Sequence, residues 1–167
     1  IEYIHTDKAP AAIGAYSQAV KLDNMIYLSG QIPLVPEKME IISEDIESQI
    51  KQVFKNLGQV LEASGSSYQK ILKLNVYLTD LTHFGLVNKH MEEIFEKPYP
   101  ARAAIGINQP PKDALIEITE KKLGGQITNF KYSSKNIKTF KSNDFMNECG
   151  ISIKKFISFY KFKTESI

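Results

Sequence analysis

The chain has 167 residues, 43% of them apolar and 24% charged, with a formal net charge of +2; this is the size and balance of one globular domain that can bury a core without cross-links. Its single cysteine, Cys149, excludes an intramolecular disulfide framework and any zinc site built on several thiolates. No apolar run approaches the roughly 20 residues that span a bilayer, and the first ten residues lack the basic-then-apolar pattern of a secretory leader, so the expectation is a cytoplasmic protein with no membrane association.

Two short apolar runs, Tyr16–Leu22 and Met25–Leu28, flank Asp23-Asn24. Asp and Asn tolerate left-handed backbone, so the pattern predicts a β-hairpin. Ser29-Gly30-Gln31 closes the second strand, and Pro33 and Pro36 keep the following chain out of regular pairing. A helix is predicted from Ser43, which serves as N-cap, with Glu44, Asp45 and Glu47 near the positive helix end. Ile46, Ile50, Val53, Phe54, Leu57, Val60 and Leu61 then form one apolar stripe on a 3.6-residue period, and Gly65 is a suitable stop.

Ile71–Thr79 alternates, with Leu72, Leu74, Val76 and Leu78 on one face and Lys73, Asn75, Tyr77 and Thr79 on the other. That predicts a strand with one face on a core. A second helix carries Phe84, Val87, Met91, Ile94 and Phe95 and ends before Pro98, because the residue preceding a proline disfavours helix. Ala101–Ile107 and Leu115–Ile118 read as two further strands, separated by a loop rich in turn residues. The order strand, strand, helix, strand, helix, strand, strand predicts an α+β fold, with a mixed sheet and both helices on one face. The other sheet face, assigned Tyr77, Ala104 and Gly106, is then semi-polar and uncovered, which predicts a homo-oligomer.

The residues offer little to a metal. His5, His83 and His90 have no zinc-ligand spacing, and no Gly-x-Ser-x-Gly elbow, Walker loop or dinucleotide-binding glycine pattern occurs. Arg102 stands out as the only arginine in the chain, set among small and apolar neighbours. A guanidinium fork matches a carboxylate bidentately, as lysine cannot; the alternative is a structural ion pair with a local acid. Glu117 lies between Ile116 and Ile118, so if those two face the core it points to the opposite face, where it could orient or deprotonate a water. Its alternative is a solvated edge residue. Neighbouring strands could bring this guanidinium and carboxylate to one cleft.

These residues sit inside longer stretches that resemble the reactive intermediate deaminase family, also called Rid, YjgF or L-PSP. The stretches are Ala9-Pro10-Ala11-Ala12-Ile13-Gly14-Ala15-Tyr16-Ser17-Gln18-Ala19, Leu28-Ser29-Gly30-Gln31-Ile32-Pro33, Val76-Tyr77-Leu78-Thr79-Asp80-Leu81, Val87-Asn88, Pro100-Ala101-Arg102-Ala103-Ala104 and Pro111-Lys112-Asp113-Ala114-Leu115-Ile116-Glu117-Ile118. The resemblance implies a chorismate-mutase-like homotrimer with active sites in clefts between subunits. It implies hydrolysis of small 2-imino acids such as 2-iminobutyrate and 2-iminopropionate, or their 2-enamino tautomers, to 2-oxo acids and ammonia. It implies no cofactor and no metal, and a role in limiting damage by reactive imines that leak from pyridoxal-phosphate enzymes. The family's carboxylate-clamping arginine falls on Arg102 and its water-positioning glutamate on Glu117. Its pocket tyrosine falls on Tyr16, its Ser-Gly pair on Ser29 and Gly30, and its pocket asparagine on Asn88. Where some members carry a cysteine this chain has Ala104, whose backbone carbonyl alone would hold the water.

The resemblance covers residues 1–118. Beyond Ile118 the family's apolar strand ending is replaced by Thr119-Glu120-Lys121-Lys122-Leu123-Gly124-Gly125, a truncation expected to leave an open sheet edge. Composition switches at the same point. Residues 1–118 carry 11 basic and 15 acidic residues, a net charge of −4, whereas residues 119–167 carry 10 lysines and 4 acids, a net of +6. Residues 119–167 are thus expected to be an atypical basic extension, from an alternative splice end, a retained intron or a frame error. Ile153, Phe156, Ile157 and Tyr160 are spaced for a short basic amphipathic helix or for a sticky, poorly packed tail. Two functions compete with the deaminase. One is an RNA-acting translation inhibitor or endoribonuclease, which the basic extension favours and the net acidic residues 1–118 disfavour. The other is a non-catalytic, chaperone-like trimer that binds small carboxylates.

Overall fold

The computed structural model describes residues 1–123; the expectations for the basic extension beyond them, including its amphipathic helix, lie outside the described residues. Strand β1 (Glu2–Ile4) pairs antiparallel with β2 (Ala19–Leu22), which turns through Asp23, at φ 50°, into β3 (Met25–Gln31). This is the predicted hairpin, with an aspartate in the left-handed region that the turn requires. The prolines do not abolish pairing after it. Leu34–Val35 (β4) and Glu40–Ile41 (β5) form a two-residue ribbon that closes a small satellite core of Ile32, Leu34 and Ala114.

Helix α1 (Ile46–Ala63) is capped two residues after the expected Ser43. Asp45 is the N-cap, accepting the Ser48 backbone N–H at 2.7 Å, while Ser43 Oγ accepts the N–H of Asp45. Several polar residues in a row offered a cap, and the aspartate adds its charge to the helix end. The far end is a Schellman motif: Gly65, at φ 72°, donates to Glu62 O, and Ser66 donates to Leu61 O.

The chain continues through β6 (Ile71–Leu78), α2 (Phe84–Ile94), β7 (Ala101–Gly106) and β8 (Ile116–Leu123). The six-stranded sheet has the order β1-β2-β3-β8-β6-β7, with β6 and β7 parallel and every other pair antiparallel. β3 and β6 both run antiparallel to β8, so the last strand is inserted between two parallel strands joined by α1. β8 does not stop at Ile118. Thr119 to Leu123 continue its pairing with β3 and β6, so the expected truncated, open edge is absent and the strand is interior.

Both helices pack on one face, where Phe54 and Leu57 of α1 and Val87 and Met91 of α2 meet Ile26, Leu74, Val76, Ile116 and Ile118, all 5% exposed or less. Two face assignments differ from the alternation. A register shift between Ile71 and Lys73 takes Leu72 off the core, leaving it 44% exposed. Ala104 and Gly106 pair with the buried Val76 and Leu78, which puts them on the helix side; Tyr77 pairs with Ile105 on the open face, as expected of Tyr77 alone.

Beside its apolar stripe, α1 carries Gln49, Gln52 and Asn56, all buried. Asn56 Nδ2 donates to Leu34 O at 2.9 Å and to Ile32 O, Gln52 Nε2 donates to Asn56 Oδ1 at 2.8 Å, and Gln49 Oε1 accepts the N–H of Leu115 at 2.8 Å. These amides add hydrogen bonds to backbone groups of buried, non-helical segments. Asn56→Ala removes three hydrogen bonds from this buried cluster, those to the Ile32 and Leu34 carbonyls and the one from Gln52. It is expected to lower the unfolding free energy by about 2 kcal/mol, read from the midpoint of urea denaturation.

Candidate active site

Glu117 is near the start of β8, flanked by Ile116 and Ile118, which are fully buried on the helix side. Strand alternation therefore turns its carboxylate to the open face. There it lies directly over Gly30, at the point where β3 shifts register between Leu28 and Gln31. A Cβ on residue 30 would overlap Glu117 Oε1 and stand 2.9 Å from its Cδ, so a side chain there would displace the carboxylate from this position. Ser29 is fixed by donating its hydroxyl to Ser17 O at 2.6 Å. Tyr16 OH accepts the N–H of Ile13 across a tight turn.

The loop carrying Tyr16 is held by Gln18, a buried side chain that accepts the Thr6 N–H at 2.7 Å and donates to Thr6 O at 2.9 Å and Pro10 O at 2.8 Å. Together Ile13, Tyr16, Ser29, Gly30, Ile32, Pro111 and Glu117 line a cleft of about 320 Å³. Burial pushes the Glu117 carboxyl above the ordinary glutamate range, because removing water disfavours its charge.

Arg102 is elsewhere. It pairs with Leu74 on β6, so it points to the helix side, and β6 separates its strand from β8. The two residues thus lie neither on neighbouring strands nor on the same face, and within one chain they do not share a cleft. Arg102 Nη1 donates to Asn88 Oδ1 at 2.7 Å and lies 3.2 Å from Met91 Sδ, while the guanidinium carbon stands 4.4 Å from the centroid of the Phe84 ring. With Asn88, Met91, Glu92, Tyr99 and Pro100 it lines a second cleft of about 150 Å³. Ala104 follows two residues on, on the same side of β7.

Among the described residues no carboxylate lies within ion-pairing distance of Arg102, which removes the structural ion pair as an account of it there. Burial lowers its pKa from the ordinary arginine value. Also among the described residues, no group of three or more His, Cys, Asp or Glu stands close enough to hold a metal, and no helix is long and apolar enough to cross a membrane.

The family motifs point to Tyr16, Ser29, Gly30, Asn88, Arg102, Ala104 and Glu117 but not to the role of Gln18 or of Phe84. Gln18 has no periodic signal, and Phe84 fits the apolar spacing of a core residue, so neither announces its contacts.

A mixed six-stranded sheet with two helices on one face is a chorismate-mutase-like α+β fold, and the matches agree with it. The family model described as Endoribonuclease L-PSP matches residues 6–120. Reactive Intermediate Deaminase A, chloroplastic, of Arabidopsis thaliana is 44% identical over 117 residues, 70% of this chain and 63% of its own length. A 2-iminobutanoate/2-iminopropanoate deaminase of Rattus norvegicus is 42% identical over 125 residues, 75% of this chain and 91% of its own. The crystal structure of RidA from the Antarctic bacterium Psychrobacter sp. superposes with a TM-score of 0.71 at 44% identity, covering 74% of this chain and 99% of that one. The chain belongs to the L-PSP, or reactive intermediate deaminase, family.

The raised Glu117 pKa has a stability consequence. A carboxyl whose folded pKa exceeds its unfolded one is penalised once it ionises, so its contribution is fully present below the unfolded value of about 4.3 and lost as pH rises through the folded pKa. Glu117→Gln is therefore expected to unfold at higher urea than the parent at pH 7, with the difference vanishing below about pH 4. A difference independent of pH would mean that Glu117 is not desolvated.

Proposed function

We propose that the chain is a cofactor-independent hydrolase that converts small 2-imino acids, or their enamine tautomers, to 2-oxo acids and ammonia. The observation that carries this reading is Arg102, a half-buried guanidinium held by neutral groups, with no carboxylate within ion-pairing distance among the described residues. Such a group is suited to an incoming carboxylate, and a 2-imino acid has a carboxylate beside its reactive carbon. The relatives printed as deaminases support the same class of substrate.

In this mechanism Arg102 anchors the carboxylate and the C=N carbon rests beside a water held by Glu117. Glu117 accepts a proton from the water as its oxygen bonds to the carbon, and the imine nitrogen takes up a proton. The resulting carbinolamine expels ammonia as the C–N bond breaks and the C=O forms. Positioning supplies much of the acceleration, because the imine is already labile. Tyr16, Ser29 and Gly30 bound the water side of the site, Asn88 braces the arginine, and the backbone carbonyl of Ala104 is a further acceptor for the water.

Arg102 and Glu117 face different clefts, so a complete site requires a second copy of the chain, with the β7 edge of one protomer set against the Glu117 cleft of its partner. A homotrimer answers this need. The open sheet face, with Tyr3 69%, Tyr27 46% and Ile105 45% exposed, supports such association. We place the protein in the cytoplasm, clearing reactive imines released by pyridoxal-phosphate enzymes. The word endoribonuclease in the family's description keeps RNA cleavage as a second reading. Against it, the described residues that line the Glu117 cleft include no histidine or lysine that could serve as a partner acid.

Two outcomes test this reading. Light scattering of the full chain at micromolar concentration is expected to give three times the chain mass; a monomer would break the shared-site scheme. With 2-iminobutanoate generated in situ, Arg102→Lys is expected to lose about a hundredfold in kcat/KM, because an ammonium keeps the charge without the planar fork. Glu117→Gln should lose less, since an amide still holds the water but takes no proton. Near-full activity in a folded Arg102→Lys trimer would remove the clamp.

A further inference from the structure

Arg102 is not merely placed near α2; one stripe of that helix holds it on three sides. Phe84, Asn88 and Met91 recur at offsets of 0, 4 and 7, so they share a helix face. Asn88 Oδ1 and Met91 Sδ both engage Nη1, at 2.7 and 3.2 Å, which occupies one end of the guanidinium. The guanidinium carbon stands over the Phe84 ring, 4.4 Å from its centroid. A guanidinium has five N–H donors. With Nη1 engaged, the edge formed by Nε and Nη2 keeps the paired donors that match a carboxylate.

The geometry points to Phe84 as a positioning residue for substrate binding: its ring fixes the plane of the Arg102 guanidinium so that the Nε–Nη2 edge meets the substrate carboxylate already oriented. The chemistry of the contact favours a ring over an acid in this place. A carboxylate partner would hold the arginine equally well but would occupy the same two-donor edge and neutralise the charge the substrate needs. A π face attracts the cation without accepting any of its in-plane hydrogen bonds. Phe84 is partly buried and packs on the main core, so the platform is itself anchored. The effect acts on carboxylate binding more than on the chemical step, and it rests on the deaminase reading only for the identity of the substrate.

The test uses the full chain with Phe84→Leu and Phe84→Met, which keep apolar bulk without a flat face, and Phe84→Tyr, which keeps the face. Initial rates with 2-iminobutanoate are measured beside equilibrium binding of 2-oxobutanoate, the corresponding product carboxylate. The expected result is a rise in KM and in the 2-oxobutanoate Kd of about tenfold for Leu and Met, with kcat changed by less than about threefold and Phe84→Tyr close to the parent. In the Arg102→Lys background the same Phe84→Leu change should add less than about twofold, because the platform acts through the guanidinium. Unchanged KM and Kd in a folded Phe84→Leu or Phe84→Met protein overturn the inference while leaving the deaminase reading intact, as does equal loss in both arginine and lysine backgrounds. A parent that binds 2-oxobutanoate through Phe84 but hydrolyses no imine keeps the platform and removes the deaminase. A parent that neither binds nor hydrolyses removes both.

Discussion

The insertion of β8 between β3 and β6 is the constraint on which the rest depends. Those two strands are parallel and joined by α1, so the sheet is incomplete until the last strand enters and pairs on both edges. β8 must then satisfy two faces at once. Ile116 and Ile118 fill the core under the helices, and the same alternation leaves Glu117 on the open side, where β3 changes register at Gly30. The placement of the Glu117 carboxylate and the closure of the core are thus consequences of one strand register. A slip by one residue would bury the carboxylate and expose both isoleucines.

The two charged residues most suggestive of chemistry are supported by opposite means. Glu117 approaches a backbone that has given up its side chain, and its burial works against its charge. Arg102 is surrounded by an amide, a thioether and a ring, none of which neutralises it. Each is left electrostatically unfinished within one chain, and each faces a different side of the sheet. An enzyme that assembles its site between copies would show this division, because neither half can satisfy the other before association. The exposed aromatic residues of the open face, Tyr3 and Tyr27, are compatible with the same proposal.

Long periodic segments were legible from the sequence because periodicity reports burial directly. α1, α2 and the core face of β8 follow their apolar stripes, and Gly65 marks its helix end through a positive φ. Elements of two or three residues leave no period, which is why β1 and the β4–β5 ribbon were invisible. Leu72 shows the opposite failure: its alternation was regular, but a bulge in the pairing changed its face. Past Ile118 the side chains turn polar and hide the strand, although backbone pairing needs no apolar residue on the strand that supplies it. Arg102 and Glu117 were individually conspicuous, yet their separation depends on β6 lying between their strands. Strand order is a tertiary property that no local pattern encodes.

The polar groups around the clefts share a physical logic that the core lacks. Gln18 ties the Tyr16 loop to Thr6 and Pro10, Asn56 ties the Ile32–Leu34 segment to α1, and Gln49 ties Leu115 to the same helix two residues before Glu117. Each is a buried amide whose partners are backbone groups of irregular chain. An apolar side chain could fill the same volume but could not hold a loop in one conformation, because dispersion is non-directional while a hydrogen bond is not. The cleft walls formed by Ile13, Ile32 and Pro111 are loop residues, so their shape is only as defined as these anchors make it. The apolar stripes specify which faces come together, and the buried amides convert that packing into a site with fixed walls.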